Sequence, residues 1–453
     1  MRTQPKEPGH RQSASVAGFV LFFLLTALLL GGCLDDDDSD DAPDDVVENG
    51  NDNGDDDNGD NGDNGEGDDG VPVGELGERV QDYLAEEFGG HDADPCFAVG
   101  RITSEGEEIG IACTNPEDAE AISPENTFQI ASITKPLLGT SVLHAQQTLD
   151  FELEDPVEEL LRDEAEVLRY DGDEPITVKE LLTHSSGLER WPFSGYDPDD
   201  PYAELDESVV LDFADDEEEP FVEFEVDPGQ YQYSNYGTML LTLALHDADG
   251  RDFDDILAEA VLEPADMEHA GLEAPDVQGH TSDGEPTPPW SFHTNVAGIG
   301  GLSASLEDML NLLDAKLSAP EDGNLELLHD AQKELAAPEE PDSDGEGVPM
   351  GALWQRTEEA WYDESQVVLS HAGTAGGFHS LVIFEKEGDR AVVVLSDTFD
   401  LTDDIPMEQV AELGTELLTP EDADVDTAPA IEMIQPTEPG LGVGQVESEL
   451  PED

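Results

Sequence analysis

Ser132 and Lys135, in the stretch Phe128-Gln-Ile-Ala-Ser-Ile-Thr-Lys-Pro136, carry the clearest chemistry in this chain. Residues three apart share a face of a helix, so S-x-x-K at a helix start sets an amine one turn from a hydroxyl. A serine hydroxyl is a poor nucleophile until a base takes its proton. A lysine serves as that base when burial and neighbouring positive charge favour its neutral form. The four-residue spacing alone recurs by chance in long chains. Lysine, however, is scarce here: beyond the N-terminal basic segment only Lys135, Lys179, Lys316, Lys333 and Lys386 remain.

Two more segments extend the pair. Asp227-Pro-Gly-Gln-Tyr-Gln-Tyr-Ser-Asn-Tyr-Gly237 offers the Tyr233 phenol as a proton shuttle and the Asn235 amide as a substrate-orienting group. Ser370-His-Ala-Gly-Thr-Ala-Gly-Gly-Phe378 sets the His371 imidazole beside a glycine-rich backbone with Gly373 and Thr374. In order and rough spacing the three resemble the S-x-x-K, Y-x-N and K-T-G/H-x-G triplet of the class C beta-lactamase-like serine hydrolases. That family includes penicillin-binding DD-peptidases, esterases and D-aminopeptidases. Leu181-Leu-Thr-His-Ser-Ser-Gly-Leu188 and Ala297-Gly-Ile-Gly-Gly-Leu-Ser-Ala-Ser-Leu-Glu-Asp-Met309 match it too, and the resemblance spans residues 73 to 418.

The resemblance implies that Ser132 is acylated while Lys135 and Tyr233 share proton transfer, either of them being the base. It implies an oxyanion hole from the amides of Ser132 and Thr374. Asn235 would hydrogen-bond the acyl side, and Gly373, Gly376 and Gly377 would let substrate backbone approach. The substrate would be a small ester or amide, with no cofactor and no metal. His371 departs from the Lys that beta-lactamases and DD-peptidases mostly carry there. An imidazole of pKa about 6.5 reads a carboxylate weakly near neutrality, which favours an uncharged ester or small amide over a beta-lactam or cell-wall peptide. His184 is expected to be structural, bonding the last carbonyls of a helix. Ser303-Ala-Ser-Leu-Glu-Asp308 reads as a helix cap.

These residues need elements to hold them. Val73, Leu76, Val80, Tyr83, Leu84 and Phe88 recur at helical spacing before Gly89-Gly90. Residues 96–103 and 107–114 alternate as strands about Ser104-Glu105-Gly106, a hairpin. Residues 379–385 and 390–396 predict a second hairpin, followed by an amphipathic helix over 405–418. The expected fold class is α+β, beta-lactamase/DD-peptidase-like: an antiparallel sheet flanked by helices, with a mostly helical insertion over about 140–290. If the first hairpin pairs residues whose numbers sum to 209, Cys96 lies opposite Cys113, within disulfide reach.

Composition narrows the function classes. A formal charge of −96, from 112 acidic and 16 basic residues, excludes a general nucleic-acid binder. Residues 35–70 hold 18 of the acids, so most of the excess falls on the folded part and points to a halophilic host, where molar salt screens repulsion. No G-x-S-x-G, H-E-x-x-H or C-x-x-C occurs, which argues against an α/β-hydrolase or a zinc hydrolase. Arg2, Lys6 and Arg11 precede an apolar run from Val16 to Leu30 that ends Leu30-Gly-Gly-Cys33. This predicts a signal peptide over 1–32 with a lipobox, in which Cys33 becomes the lipidated first residue of a membrane-anchored protein. Residues 33–70 would then be an acidic tether, 71–418 the hydrolase domain and 419–453 an acidic tail. The expected protein is monomeric. The rival of another class is a catalytically inactive surface binding protein on the same scaffold.

Overall fold

The computed structural model describes residues 74–419 except 89–93, 117, 163–173, 192–196, 198–199, 215–224, 319–322, 342–346, 362–363, 387 and 400–406. The expected signal segment, Cys33, the acidic tether, the Gly89-Gly90 cap and the tail from residue 420 lie outside the described residues.

The chain opens with helix α1 (Glu75–Glu87), whose Leu76, Val80 and Leu84, together with Phe88, make one apolar stripe. Strands β1 (Cys96–Thr103) and β2 (Gly106–Cys113) follow as a hairpin turning at Ser104-Glu105. Gly106 has φ 133°, a backbone region that costs glycine least. The pairing sets Cys96 directly opposite Cys113, and a disulfide joins them.

A short strand β3 (Thr127–Gln129) leads into helix α2 (Thr134–Thr148). Nearly every residue of the first two and a half turns of α2 is buried, as in a helix enclosed by others. Pro136 is tolerated because the first turn of a helix has no carbonyl partner for its N–H groups. The helical region continues through α3 (Val178–Leu182), α4 (Glu207–Ala214), α5 (Asn235–Asp249) and α6 (Phe253–Leu257). It is interrupted by strands β4 (Gly279–Thr281) and β5 (Pro286–Thr287). Strand β6 (Ser303–Ser305) pairs with β3 and ends in α7 (Leu306–Leu317), where Ser305 and Asp308 form a capping box. Helix α8 (Gly323–Asp330) completes the helical region.

The chain then returns to the sheet through β7 (Gln355–Trp361), β8 (Glu364–Ala375), β9 (Phe378–Glu385) and β10 (Ala391–Ser396), followed by β11 (Thr398–Phe399) and α9 (Met407–Leu418). The six-stranded sheet has the order β2-β1-β10-β9-β8-β7 and every pairing is antiparallel. The N-terminal hairpin is thereby stitched to the C-terminal one, Phe97 opposite Ser396.

Alternation along the strands feeds two apolar layers. Phe97 and Val99 face the side covered by α1 and α9, with Leu381, Ile383, Val392, Val394, Val410 and Leu413. Ala98, Val382, Phe384, Val393 and Leu395 face the helical region with α2, α5 and α7. The architecture is α+β, an antiparallel sheet between helical layers, and the second layer holds the candidate site.

Candidate active site

Ser132 sits in the turn between β3 and α2. Ile130 N–H donates to the Leu302 carbonyl at 3.0 Å, and Ala131 takes φ 48°. A left-handed alanine costs about 1–3 kcal/mol and persists only where surrounding contacts enforce it. Thr134 supplies such contacts, donating through Oγ1 to the Ala131 carbonyl at 2.7 Å and accepting from Leu302 N–H at 3.2 Å. Ser132 keeps partial exposure at the head of the otherwise buried helix.

Lys135, one turn on, is fully buried. Its Nζ lies 3.0 Å from Ser132 Oγ and 2.5 Å from the Ile299 carbonyl, in the Gly298-to-Gly301 turn before β6. Burial, and secondarily the Arg190 guanidinium, lower its pKa well below the ordinary lysine value. Both effects shift the balance toward the neutral amine, and a neutral amine that donates one N–H to Ile299 has a lone pair available for the Ser132 proton.

Tyr233 completes the group. Its ring lies 5.1 Å from Lys135 Nζ and 5.2 Å from Arg190 Cζ, and its hydroxyl is buried without a well-formed hydrogen bond. Burial raises the phenol to about 12, against the opposing pull of the Ser132 hydroxyl and the Arg190 guanidinium. The two groups that sequence left as equal candidates for the base are therefore pushed apart, toward amine and phenol.

The Tyr233 segment is held by the chain after α3. Ser234 N–H donates to His184 Nδ1 at 3.3 Å, Ser234 Oγ donates to the Glu189 carbonyl at 2.8 Å, and Asn235 N–H donates to the Arg190 carbonyl at 3.1 Å. Ser234 also caps α5 by accepting from Gly237 N–H. His184, at φ 50°, does not bond the last carbonyls of α3 through its ring as expected. The ring packs on Tyr233 with centroids 4.6 Å apart, and burial first, then Lys135, His371 and Arg190, lower its pKa. Asn235 stands buried at the first position of α5.

The third segment lies along β8. Residues 371–375 pair with β9 alone, because β7 begins opposite Ser370, so this stretch has no strand partner on its other edge, which lies against the Ser132 turn. His371 is half-buried, its ring 6.4 Å from Tyr233. Burial and the adjacent Lys135 move its pKa below the ordinary histidine value, so the imidazole is neutral at pH 7. Thr374 Oγ1 lies 3.1 Å from His379 Nδ1. One expectation is corrected. The glycines do not simply leave room for substrate: a Cβ on Gly373 would strike the Ile130 carbonyl and Ser380 Oγ, and one on Gly376 would strike Trp290. Gly377, at φ 85°, abuts Gly279. They admit the protein's own chain.

The structure thus gathers Ser132, Lys135, Tyr233 and His371, with Asn235 and Thr374 on the flanking elements. The Cys96–Cys113 bridge belongs to the edge hairpin. Arg190, His184 and Ile299 were not singled out for the site by sequence reasoning. Arg190 had one available signal: it is one of only 16 basic residues and stands two positions after Ser185-Ser-Gly-Leu188. Among the described residues no group of three or more His, Cys, Asp or Glu is placed to hold a metal.

Comparison with known proteins bears on the family and the fold. The putative penicillin-binding protein PbpX of Bacillus subtilis is 24% identical over 287 residues, 61% of this chain and 63% of that protein. Esterase EstB of Burkholderia gladioli is 34% identical over 102 residues, 22% of this chain and 26% of that protein. The chain spans 48% and 63% of the length of two curated relatives matched over more than 200 residues. The structure of the D-alanine carboxypeptidase AmpC from Burkholderia cenocepacia superimposes with a TM-score of 0.57 at 16% identity, covering 75% of this chain and 99% of that one, a likeness of fold. A family model described as Beta-lactamase matches residues 102–415, and the chain belongs to that family of beta-lactamase-like serine hydrolases.

Proposed function

We propose that the protein hydrolyses an ester or small amide through an acyl-enzyme on Ser132. The observation that carries this reading is the 3.0 Å separation of Ser132 Oγ from a fully buried Lys135 amine, whose burial lowers its pKa toward the neutral form. Ser132 Oγ attacks the substrate carbonyl carbon and its proton passes to Lys135 Nζ. The tetrahedral intermediate collapses as Tyr233 gives its phenolic proton to the leaving alcohol or amine, and Lys135 returns a proton to Tyr233. Water then attacks the acyl carbon and the same transfers run in reverse. A phenol at about 12 suits the acid role in acylation, since it starts that step protonated; in deacylation it hands this proton toward Lys135 as it accepts one from the attacking water.

The neutral His371 favours uncharged substrates, because no fixed cation on β8 holds a carboxylate. The names of EstB, an esterase, and of PbpX, a putative penicillin-binding protein, bracket the choice. We place the enzyme at the outer face of the cytoplasmic membrane, anchored through Cys33.

The test is a hydrolysis screen over short-chain p-nitrophenyl esters, D-amino-acid amides and nitrocefin in about 3 M salt, where screening is nearly complete, with fluorophosphonate labelling of Ser132. Ester turnover should exceed nitrocefin turnover at least about tenfold, and His371→Lys should narrow the gap. Labelling on another residue, or none, would remove the serine mechanism. Equal or faster nitrocefin turnover would leave that mechanism and overturn the substrate ranking.

A further inference from the structure

We propose that Arg190 is a positioning residue for the acyl transfer, supplying from the loop after α3 the fixed positive charge that His371 does not supply from β8. The inference rests on the serine-hydrolase reading above and assigns part of its machinery to a residue outside the three motifs.

Geometry comes first. The guanidinium lies over the Tyr233 ring, 5.2 Å from its centroid, and Lys135 Nζ lies 5.1 Å from the same centroid. A cation over an aromatic face is attracted by the ring, so the contact holds Tyr233 and Arg190 together. The main chain fixes both ends of the contact, through the Asn235 N–H bond to the Arg190 carbonyl and the Ser234 Oγ bond to the Glu189 carbonyl.

Charge comes second. With 112 acidic and 16 basic residues, an arginine in this chain is surrounded by available partners. Yet among the described residues no carboxylate pairs with the Arg190 guanidinium, and its Nε is buried without a hydrogen bond. Glu225, which reaches this loop, accepts instead from Arg190 main-chain N–H at 3.4 Å and from Gln232 at 2.8 Å. A paired carboxylate would cancel the charge, whereas a guanidinium with no carboxylate partner among the described residues keeps its charge for its neighbours.

The neighbour that matters is Lys135. It faces Ser132, the Ile299 carbonyl, Tyr233, the His184 and His371 imidazoles, and Arg190, with no carboxylate paired to it among the described residues. Both imidazoles are held neutral, which leaves Arg190 as the fixed cation beside the amine. A second positive charge disfavours protonation of Lys135 and keeps its lone pair free for Ser132.

The experiment measures kcat/KM against pH for the full chain and for Arg190→Gln and Arg190→Lys. The substrates are p-nitrophenyl butyrate, which is neutral, and the p-nitrophenyl half-ester of glutaric acid, which is anionic, both in about 3 M salt. The sign follows from the chemistry: without its cationic neighbour Lys135 keeps its proton to higher pH. Arg190→Gln should therefore move the acidic limb upward and lose about tenfold at pH 7 on both esters, with the loss shrinking as pH rises. Arg190→Lys should keep the limb near its original place. Arg190→Met, of similar volume on the Tyr233 ring, replaces the Gln variant if that one does not fold. An unmoved acidic limb in the neutral variants would overturn the proposal. So would a loss confined to the anionic ester, which would make Arg190 a reader of substrate charge. Failure of fluorophosphonate to label wild-type Ser132 would instead remove the mechanism on which both readings rest.

Discussion

The α-carbon of Gly373 faces the Ile130 carbonyl so closely that no side chain fits between them, and Ser380 Oγ donates to that same carbonyl at 2.8 Å. The strand beside the candidate site and the turn that carries Ser132 are thus locked at one point, two residues before the nucleophile. Gly373→Ala must push the Ile130–Ala131 turn aside. The expected cost is about 1–3 kcal/mol of stability, the usual range for overpacking. A loss of kcat beyond what the melting shift explains should accompany it, because a small displacement of Ser132 breaks the 3.0 Å approach to Lys135. Thermal melting and steady-state kinetics on one preparation check both parts.

Truncating the reacting groups should separate their roles. Ser132→Ala should abolish turnover and covalent labelling. Lys135→Ala and Tyr233→Phe should each lower kcat/KM by about 10²- to 10⁴-fold, the span of general acid–base contributions. Tyr233→Phe should hurt substrates with poor leaving groups most, since the phenol is assigned the proton donation. Comparing p-nitrophenyl and alkyl esters of one acid measures this directly.

Lys316 predicts a pH-dependent stability unrelated to catalysis. It is buried in α7 against Trp354, 4.7 Å from the ring, and burial lowers its pKa to about 7. The unfolded lysine titrates near 10.4, so between the two values the unfolded state binds the extra proton and stability rises with pH. Below about 7 both states carry the proton and the penalty is fully present. Lys316→Met should stabilise the protein at neutral pH and flatten the rise across that window. Denaturant titrations from pH 6.5 to 10.5 give the comparison.

The Cys96–Cys113 bridge closes a segment with a sequence separation of 17. Replacing either cysteine by serine should cost about 3 kcal/mol on the loop-entropy scale, while the acidic limb of the activity profile stays unmoved. Melting with and without reductant provides the check.

The acidic surface predicts dependence on salt. A charge of −96 restores mutual repulsion when screening is withdrawn, so dilution from molar salt should lower the melting temperature steeply. A melting temperature that stays flat across that range would contradict a halophilic design.

Much of this molecule was legible along the chain because its interactions are local. Ser132 and Lys135 share one turn, and the alternation of residues 96–113 set both the hairpin and the Cys96 partner. The stripe Leu76, Val80, Leu84 declared α1 by period alone. What remained hidden depends on groups brought together from far along the chain. The Ile299 carbonyl that holds the Lys135 amine is 164 residues away, and nothing in its own segment announces that contact. A sequence shows a missing side chain at Gly373 but not the Ile130 carbonyl that fills the space. Likewise residue type alone could not choose between Lys135 and Tyr233 as the base. Burial separates them by disfavouring the charged form of each, which lowers an amine and raises a phenol, and that separation supports the proposed roles. Sequence determined which groups were available. Only the tertiary structure decided their protonation and brought Arg190 beside them, because desolvation and charge proximity are properties of packed space rather than of order along the chain.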